Sequence, residues 1–169
     1  MDERGDVVNT ISVPGFARSN FLRGEYAPGV HQPEGFFIQQ ESTFWRRSLW
    51  EKAGGSLDLT FRLAGDFDLW ARFFRHAPLY GLQLPLAVSR THVTQRSRTQ
   101  WETYRSECAS ILAREGATVP TPAQQRLRRV ARATPQRVRK GLSALGLWDA
   151  AHVVASDFSG GWVTFPRLV

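Results

Sequence analysis

A chain of 169 residues, 42% hydrophobic and 22% charged, is long enough for one domain with a buried core and has the composition of a globular protein. It has no run of about 18 apolar residues that would make a transmembrane helix, its acidic start MDERGDVV is unlike a signal peptide, and its single cysteine, Cys108, excludes an internal disulfide. The net charge of +7 is concentrated in one acid-free stretch holding Arg126, Arg128, Arg129, Arg132, Arg137, Arg139 and Lys140, and the rest of the chain is nearly balanced.

In chain order, residues 6–12 (DVVNTIS) predict a short strand broken by Pro14 and Gly15. Residues 16–35 mix Gly, Pro and Asn with scattered aromatics and predict a long ordered loop with one helical turn, followed by a short strand at GFFIQQ. STFWRRSLWEKAGG reads as a helix, capped by Ser42 or Thr43, striped by Phe44 or Trp45, Leu49 and Ala53, and stopped by Gly54 and Gly55. SLDLTFRLAG alternates apolar residues as a strand does and equally suits an irregular loop. DFDLWARFFRHAP is a helix, with Leu69 and Phe73, and Trp70 and Phe74, paired at i,i+4 before Pro78 ends it. LYGLQLPLAVSRTH gives a strand pair or one bent strand, and RSRTQWETYRSECASILAREG a helix closed by Gly116. Residues 123–145 form a basic amphipathic helix with a break near Pro135, and the tail from Leu147 to Val169 has no clear period. Cys108 reads as a small core residue rather than a nucleophile, since no partner for its activation stands near it in sequence.

Two acids one residue apart, Asp66 and Asp68, are the densest chemical signal, and three readings of them stay open. Either can serve the helix N-terminus, by capping it or by meeting its dipole. As a D-x-D pair they can hold Mg²⁺ or Mn²⁺, although two residues inside one helix point about 200° apart, which suits a shared ion poorly. One can act as a general base while the other caps the helix or pairs with an arginine such as Arg72. Trp70, one turn beyond Asp66, can line a sugar-stacking wall or simply fill the core. No Gly-rich phosphate loop and no G-x-G-x-x-G accompany them.

The stretch from QQESTFWRRSLWEKAGG through LAGDFDLWARF to VSRTHVTQRS resembles the second half of a family 2 glycosyltransferase of the GT-A fold. The resemblance covers about residues 1–97 and rests on four elements in the family's order: Gln40 with STFWRR; LWEKAGG followed by Asp58; AGDFDLWARF; and VSRTHVTQRS. It implies an α/β chain, mixed α+β as it stands, with an acceptor-side half over 1–97, a helical extension over 98–146 and an aromatic, Gly-rich tail over 147–169. It implies further that Asp66 is the base that deprotonates an acceptor hydroxyl for inverting attack on a nucleotide-sugar. Asp68 fixes that helix start. Gln40, Asp68, Trp70, Arg90 and His92 attend the substrates, with Arg90 and His92 near the leaving diphosphate and His92 as a metal-proximal group. For His92 a plain surface or capping role is the competing reading.

The family's donor-binding half, with its own D-x-D metal ligands, has no counterpart in these residues. The expectation is therefore of a truncated form, a misassigned start or one member of a split pair. The family's Mg²⁺ or Mn²⁺ would then be held mainly by residues of the other half. The implied partners are a nucleotide-sugar donor and a glycan or lipid-linked acceptor. For the block 126–140 a solvated face, an anionic membrane surface and nucleic acid compete, and nucleic acid is disfavoured because no reading module surrounds it. The expected location is cytoplasmic, or peripheral at the inner face of a membrane. The competing function is a non-catalytic interaction or membrane-surface domain that keeps the fold.

Overall fold

The computed structural model describes residues 15–27, 37–84, 86–87, 99–117, 121, 138, 150–157 and 159–168. Among these the chain is mixed α and β. Helices α1 (Arg18–Leu22), α2 (Arg47–Lys52) and α3 (Gly65–Phe73) precede strand β1 (Tyr80–Leu82), and helix α4 (Trp101–Arg114) is followed by strands β2 (Ala150–Ser156) and β3 (Trp162–Leu168). A single 3₁₀ turn, Gln40–Ser42, lies between α1 and α2. No helix among the described residues is long and apolar enough to cross a membrane.

Helix α3 is the centre of the core. Phe67, Leu69, Trp70, Ala71 and Phe73 are all buried, and Phe74 at its C-terminal end is too. The two i,i+4 pairs expected from the sequence are therefore both inside, where each large side chain contributes about 1.5–3 kcal/mol. Phe21 of α1 stacks on Phe67 at 4.5 Å between ring centroids and meets Phe74 at 5.3 Å. From the other side α4 lays Cys108, Ile111 and Leu112 against the same core, at the spacing of one helical face. The left-handed stops fall where expected, at Gly54 (φ +103°), Gly55 (φ +63°) and Gly116 (φ +69°).

Two expectations give way and one open alternative is decided. α2 begins at Arg47, and the Ser42 and Thr43 hydroxyls donate back to the Gln39 carbonyl at 3.2 and 2.7 Å, so they close the 3₁₀ turn instead of capping the helix. Residues 37–39 pair with no strand among the described residues and lead straight into that turn, so the strand expected over GFFIQQ is absent from its described part. The stretch 57–63 is an irregular loop. Leu57 and Leu59 are exposed, and the Asp58 carboxylate accepts the Thr60 N–H at 3.0 Å in a local turn. The strand expected over residues 6–12 and the basic helix over 123–145 lie outside the described residues, Val138 apart, which is exposed.

The tail holds an antiparallel hairpin where no period was legible. Ala150 to Ser156 pairs with Leu168 to Trp162, and β2 also pairs in parallel with β1, His152 opposite Tyr80 and Val154 opposite Leu82. The order is β1-β2-β3, so the tail and the segment after α3 share one sheet. Pro166 sits on the edge strand β3, where a missing N–H is tolerated. Ala151 and Val153 are fully buried, whereas Tyr80, Leu82 and Trp162 stand exposed.

Under the buried face the backbone passes at Gly15. Its φ of +107° is open to glycine, and a Cβ there would lie 2.6 Å from the Ala151 Cβ. Gly15→Ala should cost about 1–3 kcal/mol through this overpacking. A urea-unfolding midpoint equal to that of the unsubstituted chain would show that the sheet does not close on residue 15.

Candidate functional site

Helix α3 starts without a cap of its own. Its N-cap is Ala64, which has no side-chain hydrogen bond to offer, so neither acid caps it and Asp66 is a first-turn residue. The missing acceptor comes from α4. The Glu107 carboxylate accepts Arg62 N–H at 3.0 Å, Leu63 N–H at 2.9 Å and Ala64 N–H at 2.8 Å. Partial burial pushes the Glu107 carboxyl up, but these three donors outweigh it and hold the group below the ordinary glutamate value.

The two acids part company from there. Asp68 is fully buried, and its carboxylate is taken up by arginines. Oδ2 accepts Arg72 Nε at 2.9 Å and Oδ1 accepts Arg114 Nη2. Arg72 also donates to the carbonyls of Ala53 and Ser56, the latter at 2.8 Å, and so ties the loop after α2 to α3. Arg114 approaches Asp58 at 3.8 Å and lies over the Phe61 ring at 5.8 Å. The i,i+4 arginine pair considered for the second acid is present. Asp68 does not line the pocket that Asp66 lines, and it faces arginines.

Asp66 does line a pocket, with Tyr26, Phe37, Ile38, Phe67, Trp70 and Tyr104. The enclosed cavity is very small, about 10 Å³, within a shallow hollow of about 190 Å³ that includes open solvent. That is room for about one water, so the cavity itself can take a single polar atom of a ligand and not a ring. Asp66 Oδ1 accepts the Phe67 N–H at 2.7 Å. Burial raises the Asp66 carboxyl above its ordinary value, the Phe67 N–H offsets part of that, and Glu41 adds a little repulsion. A carboxylate made more basic by partial burial among aromatic rings is suited to taking a proton.

The walls carry further polar atoms. Trp70 is buried against Trp45 (5.7 Å) and Phe73 (5.8 Å), and its indole N–H finds no acceptor among the described residues. The Gln39 side-chain amide nitrogen, buried next to pocket residue Ile38 in the chain, is likewise without a partner there. An unpaired buried donor costs about 1–3 kcal/mol, so the Trp70 N–H in the pocket wall is a place where an acceptor atom would be stabilising. Trp70 thus belongs both to the core and to the pocket wall. Tyr104, raised by burial, shares a hydrogen bond with Cys108, whose thiol burial pushes up to about 12. Cys108 is fully buried and packs as a core residue, as the sequence led us to expect.

Of the site residues expected from the sequence, Asp66 and Trp70 come together in this pocket. Gln40 is exposed in the 3₁₀ turn and does not line it. Arg90 and His92 lie outside the described residues. Tyr26, Phe37, Ile38 and Tyr104 were not anticipated. Tyr104 is the one with a sequence signal, since it stands one turn before Cys108 on the buried stripe of α4. Asp66 and Asp68 address different surroundings, and no group of three His, Cys, Asp or Glu forms among the described residues. No protein-family model, curated protein or solved structure matches the chain.

Proposed function

We propose that this chain supplies the acceptor side of a sugar-transfer site of the family 2, GT-A type, with Asp66 as the base. The observation that carries the proposal is the position of Asp66. Its half-buried carboxyl, raised by burial, stands at the first turn of α3 in an aromatic-walled pocket beside the unpartnered Trp70 N–H. The order of the sequence elements around it points the same way. In this reading a glycan lies across the mouth of the pocket and one of its hydroxyl oxygens accepts the Trp70 N–H. Asp66 takes the proton of the reacting hydroxyl, whose oxygen forms the new bond to the anomeric carbon as the bond to the nucleoside diphosphate breaks. The donor's diphosphate is held by a separate nucleotide-binding unit, since the 169 residues contain no Gly-rich phosphate loop.

The test is direct. In NMR spectra of the chain, the Trp70 indole N–H resonance should move on addition of acceptor saccharides, drawn from a panel of mono- and oligosaccharides and lipid-linked glycans. Sugar nucleotides added to the chain alone should bind weakly. A Trp70 resonance unmoved by every saccharide would sink the acceptor role, and tight binding of a sugar nucleotide would contradict the separate donor unit.

A second reading, a non-catalytic interaction domain, draws on Tyr80, Leu82 and Trp162 exposed on the sheet. It includes attachment of the block 126–140 to anionic lipid. Co-sedimentation with phosphatidylserine vesicles separates the two parts, because a chain that stays in the supernatant loses the membrane role.

A further inference from the structure

We propose that Glu107 is a positioning residue for Asp66: from α4 its carboxylate holds the backbone just ahead of α3 and so sets where the Asp66 carboxyl stands in the pocket. The inference rests on Asp66 being the reactive group there, and it names a residue beyond the stretch that carries the family resemblance. Both Glu107 oxygens are committed, Oε1 to Arg62 N–H and Oε2 to Leu63 and Ala64 N–H, all within 3.0 Å. These donors lie at the positive end of the α3 dipole, two to four residues before Asp66. A local Ser or Asp cap would hold the helix start relative to its own chain. A cap reaching from α4 holds it relative to another helix. That helix also places Tyr104, three residues before Glu107, in the pocket wall. One helix face thus fixes both the wall and the carboxyl that faces it.

The competing account is that Glu107 merely fastens α3 to α4. The titration of Asp66 separates the two, read by NMR on the full chain with ¹³C-labelled aspartate and assigned with Asp66→Asn. The groups bearing on Asp66 are Glu41 from the 3₁₀ turn, Tyr104 and Cys108 from α4, Tyr26 in the pocket wall, and the Phe67 N–H. Glu107→Asp keeps the charge but is one methylene too short to span the three N–H groups, so simple charge loss does not explain its effect. Its Asp66 midpoint should fall toward the ordinary aspartate value as the first turn loosens and water reaches the carboxyl. Glu107→Gln should lower it as well. With a donor unit present, kcat should fall at least tenfold in both variants with KM little changed.

A lowered melting temperature with the Asp66 midpoint unmoved would overturn the proposal in favour of the fastening role. An Asp66 midpoint already ordinary in the unsubstituted chain would instead remove the base reading on which the proposal rests. Should neither variant fold, the unsubstituted chain decides. The Leu63 and Ala64 amide shifts should titrate with the Glu107 carboxyl, and the Asp66 carboxyl carbon should show an inflection at that same midpoint. Absence of that inflection overturns the coupling.

Discussion

Asp68→Ala should cost about 3–5 kcal/mol, enough to leave the chain largely unfolded at 37 °C if its total stability lies near the low end of the usual range of about 5–15 kcal/mol. The reason is what the substitution leaves behind. Asp68 is fully buried and answers two guanidinium groups, of which the Arg72 side chain keeps 15% of its exposure and Arg114 39%. Removing the carboxylate strands the Arg72 charge in the protein and loosens its grip on the Ala53 and Ser56 carbonyls. The loss reaches three segments together: the loop after α2, helix α3 and the end of α4. Asp58 provides the control. Its contact with Arg114 is 3.8 Å long, its side chain is 36% exposed and its hydrogen bonds to Thr60 are local, so Asp58→Ala should cost much less than Asp68→Ala. Urea unfolding followed by tryptophan fluorescence measures both. An Asp68→Ala cost below that of Asp58→Ala would mean that the buried ion cluster does not hold these elements.

The other acid should behave in the opposite way. Asp66→Asn, assayed with a donor unit, should lose about 10²–10⁴-fold of transfer, the usual contribution of a positioned base. It should lose no stability at neutral pH and should gain some. Burial raises the folded-state pKa of Asp66, so between the unfolded value and the raised one the folded chain binds more protons than the unfolded chain. The stability contributed by the protonated group is full below the unfolded value and is lost as pH rises through the folded one. Asparagine imitates the protonated form and escapes that loss. The gap between variant and parent should therefore open as pH rises from the ordinary aspartate value toward neutrality. Glu115, lowered by Arg75, and Glu107, lowered by its backbone donors against the pull of burial, have the reverse sign. Their contributions are present above the ordinary glutamate value and are lost as pH falls through their depressed values, and both variants share them. Unfolding curves at pH 4 and pH 7 test the sign. A stability loss on Asp66→Asn at pH 7, with transfer intact, would assign Asp66 to structure and not to chemistry.

The contrast between these acids marks how far the sequence could be read. Helix α3 was legible because its apolar residues repeat at helical spacing and its packing satisfies that repeat on nearly every side. The glycine stops at 54, 55 and 116 were legible because left-handed backbone leaves few other residue types. The pairing of Asp68 with Arg72 is local, one turn apart, and could be anticipated. Its second partner, Arg114, is 46 residues away, and the Glu107 cap reaches across a similar distance, so no spacing rule announces either. The Ser42 and Thr43 caps misled because a hydroxyl near a helix start has a competing acceptor in the carbonyl of the preceding turn. The hairpin was missed because β2 has apolar residues on both faces, which erases the period of two. The turn between its strands, with Gly160 and Gly161 after Asp157, was the available signal.

The parallel pairing of β1 with β2 has a consequence in time. Tyr80 must find His152, 72 residues further along, before the sheet exists, whereas α3 and α4 meet across a much shorter span. Closing the longer loop costs more chain entropy before any contact rewards it. During synthesis the α3–α4 unit with its pocket is complete while the chain beyond residue 117 is still emerging. The sheet then arrives last, as a clasp on a part already formed. Until it closes, the apolar residues of β2 and β3 are free to pair with those of a neighbouring chain. Docking of the hairpin on Tyr80–Leu82 is thus the step expected to come late and to compete with aggregation, which stopped-flow refolding at rising protein concentration would show as a slow phase that loses yield.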